Sequence, residues 1–594
     1  MMNLLPRLSR LLHFGLLLAL VLRVSAATDK PIWTCPLGED SKWEDLTGLG
    51  VLLIGTDSAI QCIDPETGKV LWKNANFKKS TSMNAREIAG TPYLLCNQFS
   101  GMASSKSTMT LIDYLTGDVV WTAPEITGQY LGSIPVPEKG LVLLVMNTWN
   151  DGKGQESGTF IFAHDINTGE RKWATLFTKA NGIPLHLADS SSTFVPRMDL
   201  SGYHDPVVEG DTLYLGYLGV HALDLNTGTI KWGVEFPQGD KNLKRTYAPL
   251  RIVGDVIYGA GGGSVYAINK ETGATLWKSD RISEYAGLFK ARDNAIVTQI
   301  EVIDGKIYTR YGGNFSNGKT VVLKEPLGVV VLSAADGQPI YQDKKIDGGL
   351  TNLMPLPEAG AVMFADGKEL VGVSTGETVT ELFRVPIEFK RKMGGGDMAK
   401  IGLGLTGGLM GTLKAVNSSS KARLDVPVAI TRNGSHIVVQ GKQHLLGFDP
   451  VAKAQKWSLY YAAPSDTFAT IAMFAVTLAA SAQGNAQVAA SGGIGTSDGN
   501  RGVQNIQGSL DRYNRYTETR ARLAGGSKSS GNYTYIVTKL GKSGLGLYGV
   551  NLSSGETDRE LPLGTKDPKY LADEQTGRIF YFKGGDTIQA YQFE

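Results

Sequence analysis

One pattern recurs along this chain: Asp or Asn, two residues, Thr-Gly, three residues, Trp. It stands in "IQCIDPETGKVLW", "MTLIDYLTGDVVW", "FIFAHDINTGERKW", "GVHALDLNTGTIKW" and "SVYAINKETGATLW", starting at Asp64, Asp113, Asp165, Asp224 and Asn269. The intervals are 49, 52, 59 and 45 residues, the length of a four-stranded sheet with its loops. A unit of this size cannot bury its apolar face alone, so a chain built from such units must stack them against one another.

Each copy reads as a β-hairpin. Apolar residues alternate before the turn, as Val220 and Ala222 do, and Ile230 and Trp232 share one face after it, because strand side chains point to opposite sides in turn. The carboxylates of Asp64, Asp113, Asp165 and Asp224 are expected to accept bonds from backbone amides two residues on, closing an Asx turn. Gly68, Gly117, Gly169, Gly228 and Gly273 suit a position of positive φ, which a β-carbon resists. The Trp brings a broad apolar face with one donor at its edge, and a neighbouring copy can receive it. Trp72, Trp121, Trp173, Trp232, Trp277 and Trp457 hold this docking position, six of the nine tryptophans. Trp232→Ala is expected to cost about 3–5 kcal/mol.

Weaker copies follow. "GVVVLSAADGQPIY" keeps Asp336-Gly337 with Tyr341 in place of Trp; "ELVGVSTGETV" keeps Thr375-Gly376. "LLGFDPVAKAQKW" keeps Asp449 and Trp457 without Thr-Gly, and "GLYGVNLSSGETDR" keeps Ser554-Gly555. A last hairpin, "GRIFYFKGGDTIQAYQ", stops where a Trp strand would begin. Ten hairpin units result, and further short strands such as "DTLYLGY" precede them. The fold class is all-β: a β-propeller of four-stranded blades over residues 31–594.

Composition agrees. With 73 glycines and 20% charged residues, the chain suits many turns and short strands better than long helices. A net charge of +2 gives no reason to expect nucleic acid. The start, "MMNLLPRLSRLLHFGLLLALVLRVSAATDK", has a basic stretch at Arg7 and Arg10, an apolar run Leu11 to Leu22, and small residues at Ser25 and Ala26. Residues 1–26 therefore read as a signal peptide, with an uncleaved anchor as the alternative. The expected location is exported, periplasmic or outer-membrane-associated. Cys35, Cys62 and Cys96 are too few for a disulfide scaffold, and their odd number leaves at least one unpaired.

The Trp-ended hairpins resemble the tryptophan-docking repeat of the pyrroloquinoline-quinone-type β-propellers. That superfamily includes quinoprotein alcohol dehydrogenases and a non-enzymatic outer-membrane assembly lipoprotein. The resemblance covers nearly all of residues 50–593 and implies a toroid, commonly of eight blades, each Trp stapling one blade to the next. The ten units counted here exceed that number: either the ring is larger, or two degenerate units are embellishments, or the ring is not single. The dehydrogenases imply a quinone held against a ring of adjacent cysteines, with Ca²⁺ and a carboxylate base. No Cys-Cys pair, Cys-x-x-Cys-His or calcium-loop motif occurs in this sequence, so the reading is a chain with no cofactor and no catalytic residues. A quinone-dependent alcohol or sugar oxidoreductase with pyrroloquinoline quinone (PQQ) and Ca²⁺ is the alternative.

Other motifs carry less. "GGNFSNGKT" matches a phosphate loop, Gly313 to Thr320, but strands flank it on both sides, and the chemistry needs a helix N-terminus. No nucleotide is expected. "GAGGGS" and "MGGGD" lack the strand-to-helix setting of a dinucleotide site. His186, Asp189, Asp199, His204 and Asp205 share one long connection, at spacings of no metal pattern; that loop is a weaker candidate for carbohydrate or peptide binding.

Two insertions are more informative. Residues 384–424 carry Lys390, Arg391 and Lys392 ahead of a Gly-rich stretch with Leu403 and Leu405. Residues 460–530 contain an uncharged run with Phe468, Ile471, Met473, Phe474, Val476 and Leu478, too short to span a bilayer as one helix. Both follow a Trp-type strand in consecutive units, which predicts that they leave one face of the toroid side by side. They are expected either to contact a membrane or protein partner, through apolar and basic groups, or to fold back and plug the channel. The functional expectation is an exported, non-catalytic scaffold that binds a protein partner in the cell envelope, with peripheral membrane contact through the insertions.

Overall fold

The computed structural model describes residues 30–593, except the connections 101–105, 179–205, 237–249, 283–295, 317–320, 388–425 and 462–532 and several stretches of one to three residues. The unit around His221 illustrates how sequence becomes blade. Val207–Glu209, Thr212–Gly216, Gly219–Asp224 and Ile230–Glu235 pair antiparallel in that order. The register slips by one residue between Ala222 and Leu223, opposite Trp232 and Ile230. The same bulge follows the turn at Cys62/Ile63, Leu111/Ile112, Ala163/His164 and Ala267/Ile268. An extra residue there re-aims the outgoing strand, and the Trp comes to lie on the neighbouring blade.

Ten such units, in nine sheets, occur among the described residues. The second and third are joined into one eight-stranded sheet, because Ile126 and Thr127 pair with Ser107 and Lys106. The ninth is described by three strands, Tyr533–Lys539, Leu545–Asn551 and Thr557–Pro562. The tenth consists of Tyr570–Asp573, Arg578–Lys583, Thr587–Gln592 and, as its outer strand, Trp33–Pro36 from the other end of the chain.

The core lies between blades. Val142, Leu144 and Met146 face the second blade, while the alternate residues Leu141, Leu143 and Val145 face the fourth. This is the two-residue period of a strand buried on both sides. Each of the ten apolar clusters spans one pair of neighbouring blades. The last joins Cys35, Phe580 and Phe582 of the tenth blade to Leu52 and Ile54 of the first. The sheets thus form a closed ring of ten. Closure leaves only the outer strand of each blade as an edge.

Antiparallel order also sorts the loops. Turns between first and second strands, and between third and fourth, lie at one end of every blade, the turn face. Hairpins between second and third strands, and the crossings to the next blade, lie at the opposite, connection face. The outer strands of blades seven and eight end on this face at Pro386 and Tyr460. The first strand runs two residues past the boundary expected at 384, the second ends at 460 itself, and Tyr461 is still packed in the joint between blades eight and nine.

Candidate functional site

The chemistry-bearing residues singled out by the repeat converge at the blade joints. Asp64 accepts from the amides of Glu66 and Thr67 at 2.7 and 3.2 Å. Asp165 accepts from Asn167 and Thr168, Asp224 from Asn226 and Thr227, and Asp113 from Leu115. At Asp224 burial disfavours the charge, but the Thr227 and Asn226 amides outweigh it and hold the carboxyl below its ordinary range. Four residues after each Asp, and after Asn269 in the fifth unit, the chain turns left-handed, with φ of 69° at Gly68, 80° at Gly117, 71° at Gly169, 74° at Gly228 and 72° at Gly273.

Those glycines are also where the indoles rest. Trp72 lies on Gly117, Trp121 on Gly169, Trp173 on Gly228, Trp232 on Gly273, Trp277 on Gly337 and Trp457 on Gly555. A β-carbon at Gly169 would stand 2.6 Å from Trp121 Cγ, so this position requires glycine for space as well as for conformation. The indole N–H then donates to the carbonyl just after the start of the receiving turn. Trp72 reaches Tyr114 at 2.8 Å, Trp121 reaches Ile166 at 2.9 Å, Trp173 reaches Leu225 at 2.8 Å and Trp277 reaches Ala334 at 2.9 Å. Trp457 Nε1 is buried without an acceptor among the described residues.

The repeat pattern alone misses a seventh docking Trp. Trp33 lies on Gly68 and donates to the Pro65 carbonyl at 3.0 Å. No turn precedes it in sequence, so its signal was only the missing Trp strand of the last hairpin. Where the motif decays, other chemistry occupies the joint. In the sixth unit Ser333, not Asp336, starts the turn, and Tyr341 joins the apolar cluster between blades six and seven. Between blades seven and eight, Phe383 takes the indole's place and Lys453, at φ 53°, the glycine's, with the ammonium 5.5 Å from the ring. In the ninth unit Arg559 stands at the Trp position, 3.4 Å from the Tyr533 ring centroid and 5.3 Å from that of Phe593, and donates to Tyr535 Oη at 2.8 Å.

The remaining candidates fall elsewhere. Lys390, Arg391, Lys392, Leu403, Leu405, Phe468, Ile471, Met473, Phe474, Val476 and Leu478 lie outside the described residues, as do the signal segment 1–26, His186, Asp189, Asp199, His204, Asp205 and the Gly318-Lys319-Thr320 loop tip. The strands around that tip, Lys306–Ser316 and Val321–Ser333, pair as one hairpin. Gly259 and Gly261 pack under the Phe236 ring. Cys35, Cys62 and Cys96 are free thiols buried in joints, and burial pushes all three upward in pKa. They offer no adjacent pair for a quinone. Among the described residues no group of three or more His, Cys, Asp or Glu could hold a metal, and no helix is long and apolar enough to cross a membrane.

A family model described as outer membrane protein assembly factor BamB matches residues 19–195, 56–307 and 157–352, together more than half of the chain. Overlapping matches are what a repeat produces, since one unit can align with another. The BamB of Yersinia pestis is 30% identical over 146 residues, 22% of this chain and 37% of its own length; the chain thus spans little more than a third of that curated relative. Among solved structures, BamB from Moraxella catarrhalis is similar at 14% identity, over 71% of this chain and 97% of its own, with a TM-score of 0.33. A quinohemoprotein alcohol dehydrogenase from Pseudomonas putida HK5 is similar at 12% identity, over 95% and 76%, with a TM-score of 0.31.

Proposed function

Because the chain belongs to the BamB family of outer membrane protein assembly factors, we propose that it is an exported, non-catalytic scaffold that binds a protein partner at a cell-envelope membrane. The process we assign it to is the one its relatives are named for, assembly of outer-membrane proteins. The observation that carries this reading is the use made of its distinctive residues. Each repeated Trp rests on a turn glycine of the next blade, and the repeated Asp closes the turn that receives it; a rigid scaffold of this kind presents its loops for recognition. The extra segments after Ile387 and Tyr461 follow outer strands that end on one face of adjacent blades, which supports partner or membrane contact through Lys390 to Lys392 and the run Phe468 to Leu478.

Two measurements test the two parts. Crosslinking in intact cells, followed by identification of adducts from the envelope fraction, is expected to capture an outer-membrane protein or its assembly machinery; adducts confined to soluble metabolic enzymes would remove the scaffold reading. Liposome flotation with and without residues 465–500 tests membrane contact. Equal recovery of both forms in the soluble fraction would remove it.

A further inference from the structure

The joint between the eighth and ninth blades has the smallest apolar core in the ring. Its buried members are Val438, Leu445, Tyr461, Ile536, Val550 and Leu552, fewer than in any other joint among the described residues. The outer strand of blade eight sets Trp457 on Gly555 at the turn face and continues to Tyr460 at the connection face. The outer strand of blade nine, Thr557–Pro562, turns the Arg559 guanidinium the other way, toward Phe593 of blade ten. The connection-face half of the joint is left as an open trough of about 410 Å³.

Its walls are tyrosines, Tyr460 and Tyr461 from blade eight and Tyr548 from blade nine. Tyr460 is 45% exposed and Tyr548 half-buried, so both present surface to the trough. Their positions are braced. Tyr460 has His444 behind it, with ring centroids 4.7 Å apart. Tyr461 is hydrogen-bonded to the Thr557 hydroxyl and lies 6.0 Å from the Tyr548 ring at 50°. Aromatic surface already held in place costs little to order when a ligand arrives. The rim adds one cation and one anion, exposed Lys539 and half-buried Glu560. The ammonium can only donate and the carboxylate only accept.

We propose that this trough binds an oligosaccharide of gluco configuration, one pyranose ring lying on Tyr460 and its hydroxyls bonded to Glu560 and Lys539. Equatorial hydroxyls leave a flat C–H face that matches the negative face of an aromatic ring. The same hydroxyls both donate and accept, so one sugar can satisfy Glu560 and Lys539 together. Opposite charges side by side favour a neutral polar ligand over an anion or a cation, and a wholly apolar chain would desolvate both without bonding either. The site adds a ligand of its own to the protein contact proposed above and does not depend on it.

Ligand-observed nuclear magnetic resonance of cellotetraose and tetra-N-acetylchitotetraose, titrated with the full chain, tests it. At least one is expected to bind with a Kd below about 1 mM. Tyr460→Ala should weaken that binding about tenfold through loss of one ring contact, while Tyr460→Trp should retain it. Because Tyr460 is exposed at a strand end, both variants should keep the parent's thermal unfolding. Glu560→Gln, which preserves shape and removes the charge, gives a second reading and should weaken binding several-fold. No binding of either saccharide at millimolar concentration would overturn the proposal. So would affinity unchanged in both Tyr460→Ala and Glu560→Gln, or binding of the peptide Ac-PPPPPP-NH2 in place of the sugars.

Discussion

At the scale of single residues, the docking tryptophans are not equivalent. Trp121 and Trp173 are 7% and 9% exposed, whereas Trp232 is only half-buried. Trp121→Ala should therefore cost about 3–5 kcal/mol in chemical denaturation, and Trp232→Ala, for which the motif alone suggested that same cost, clearly less because its indole is only half-buried; equal losses would mean that burial at the joint does not set the cost. The receiving position makes the converse test. Gly169→Ala places a methyl against the indole at a left-handed φ, whereas Lys453 already bears such strain, so Lys453→Gly should stabilise by up to about 1 kcal/mol less the small cation–π term. His164 adds a pH dependence. Burial holds its folded pKa below the ordinary 6.5, so the neutral ring's contribution is complete above that value and is lost as pH falls through the lower, folded one. In His164→Phe this acid-side loss should disappear from the stability profile.

At the scale of elements, the strong hairpins were legible because one local device, an Asx turn with glycine four residues on, specifies strand, turn and bulge together. The weaker units kept the fold after losing the device. Ser333 can replace Asp because its hydroxyl still accepts an amide, from Ala335 at 3.3 Å. Blades six and seven add a charge cluster that no pattern announced. Arg384, on the outer strand of blade seven, pairs with Asp343 of blade six and with Glu369 at 2.9 Å and Glu381 at 2.9 Å. Asp343 is 4% exposed, so Arg384→Met, which takes the cation away from a buried carboxylate, should cost about 3–5 kcal/mol. Thermal unfolding near neutral pH reads this directly, and a loss below 1 kcal/mol would place the cluster among ordinary surface pairs.

At the scale of the whole molecule, the ring closes through its first described strand. Trp33–Pro36 pairs with Thr587–Ala590 and sets Trp33 on Gly68, so a contact between the two ends of the chain completes the same joint that local hairpins build elsewhere. Trp33→Ala should then cost about 2–3 kcal/mol, and removing residues 30–36 should convert one cooperative unfolding transition into a broader one beginning at the tenth and first blades. A truncated chain that unfolds as sharply as the parent would mean that closure is not under tension from this strand.

The sequence alone determined the all-β class, the repeat, its turn chemistry and the count of ten hairpin units, because each depends on residues within about ten positions of one another; that all ten share one ring was decided by the contacts between blades. It also supplied the docking position, since the Trp lies eight residues after the turn begins. Only the tertiary structure decided which turn each indole meets, that Trp33 is a docking residue, that Lys453, Phe383 and Arg559 stand in for glycine and Trp, and that the joint between blades eight and nine opens beside Tyr460. Those facts depend on the angle and distance between units far apart in the chain. The physical reason is that a strand's own pattern says which face is buried, while the partner on that face is chosen by how the ring closes.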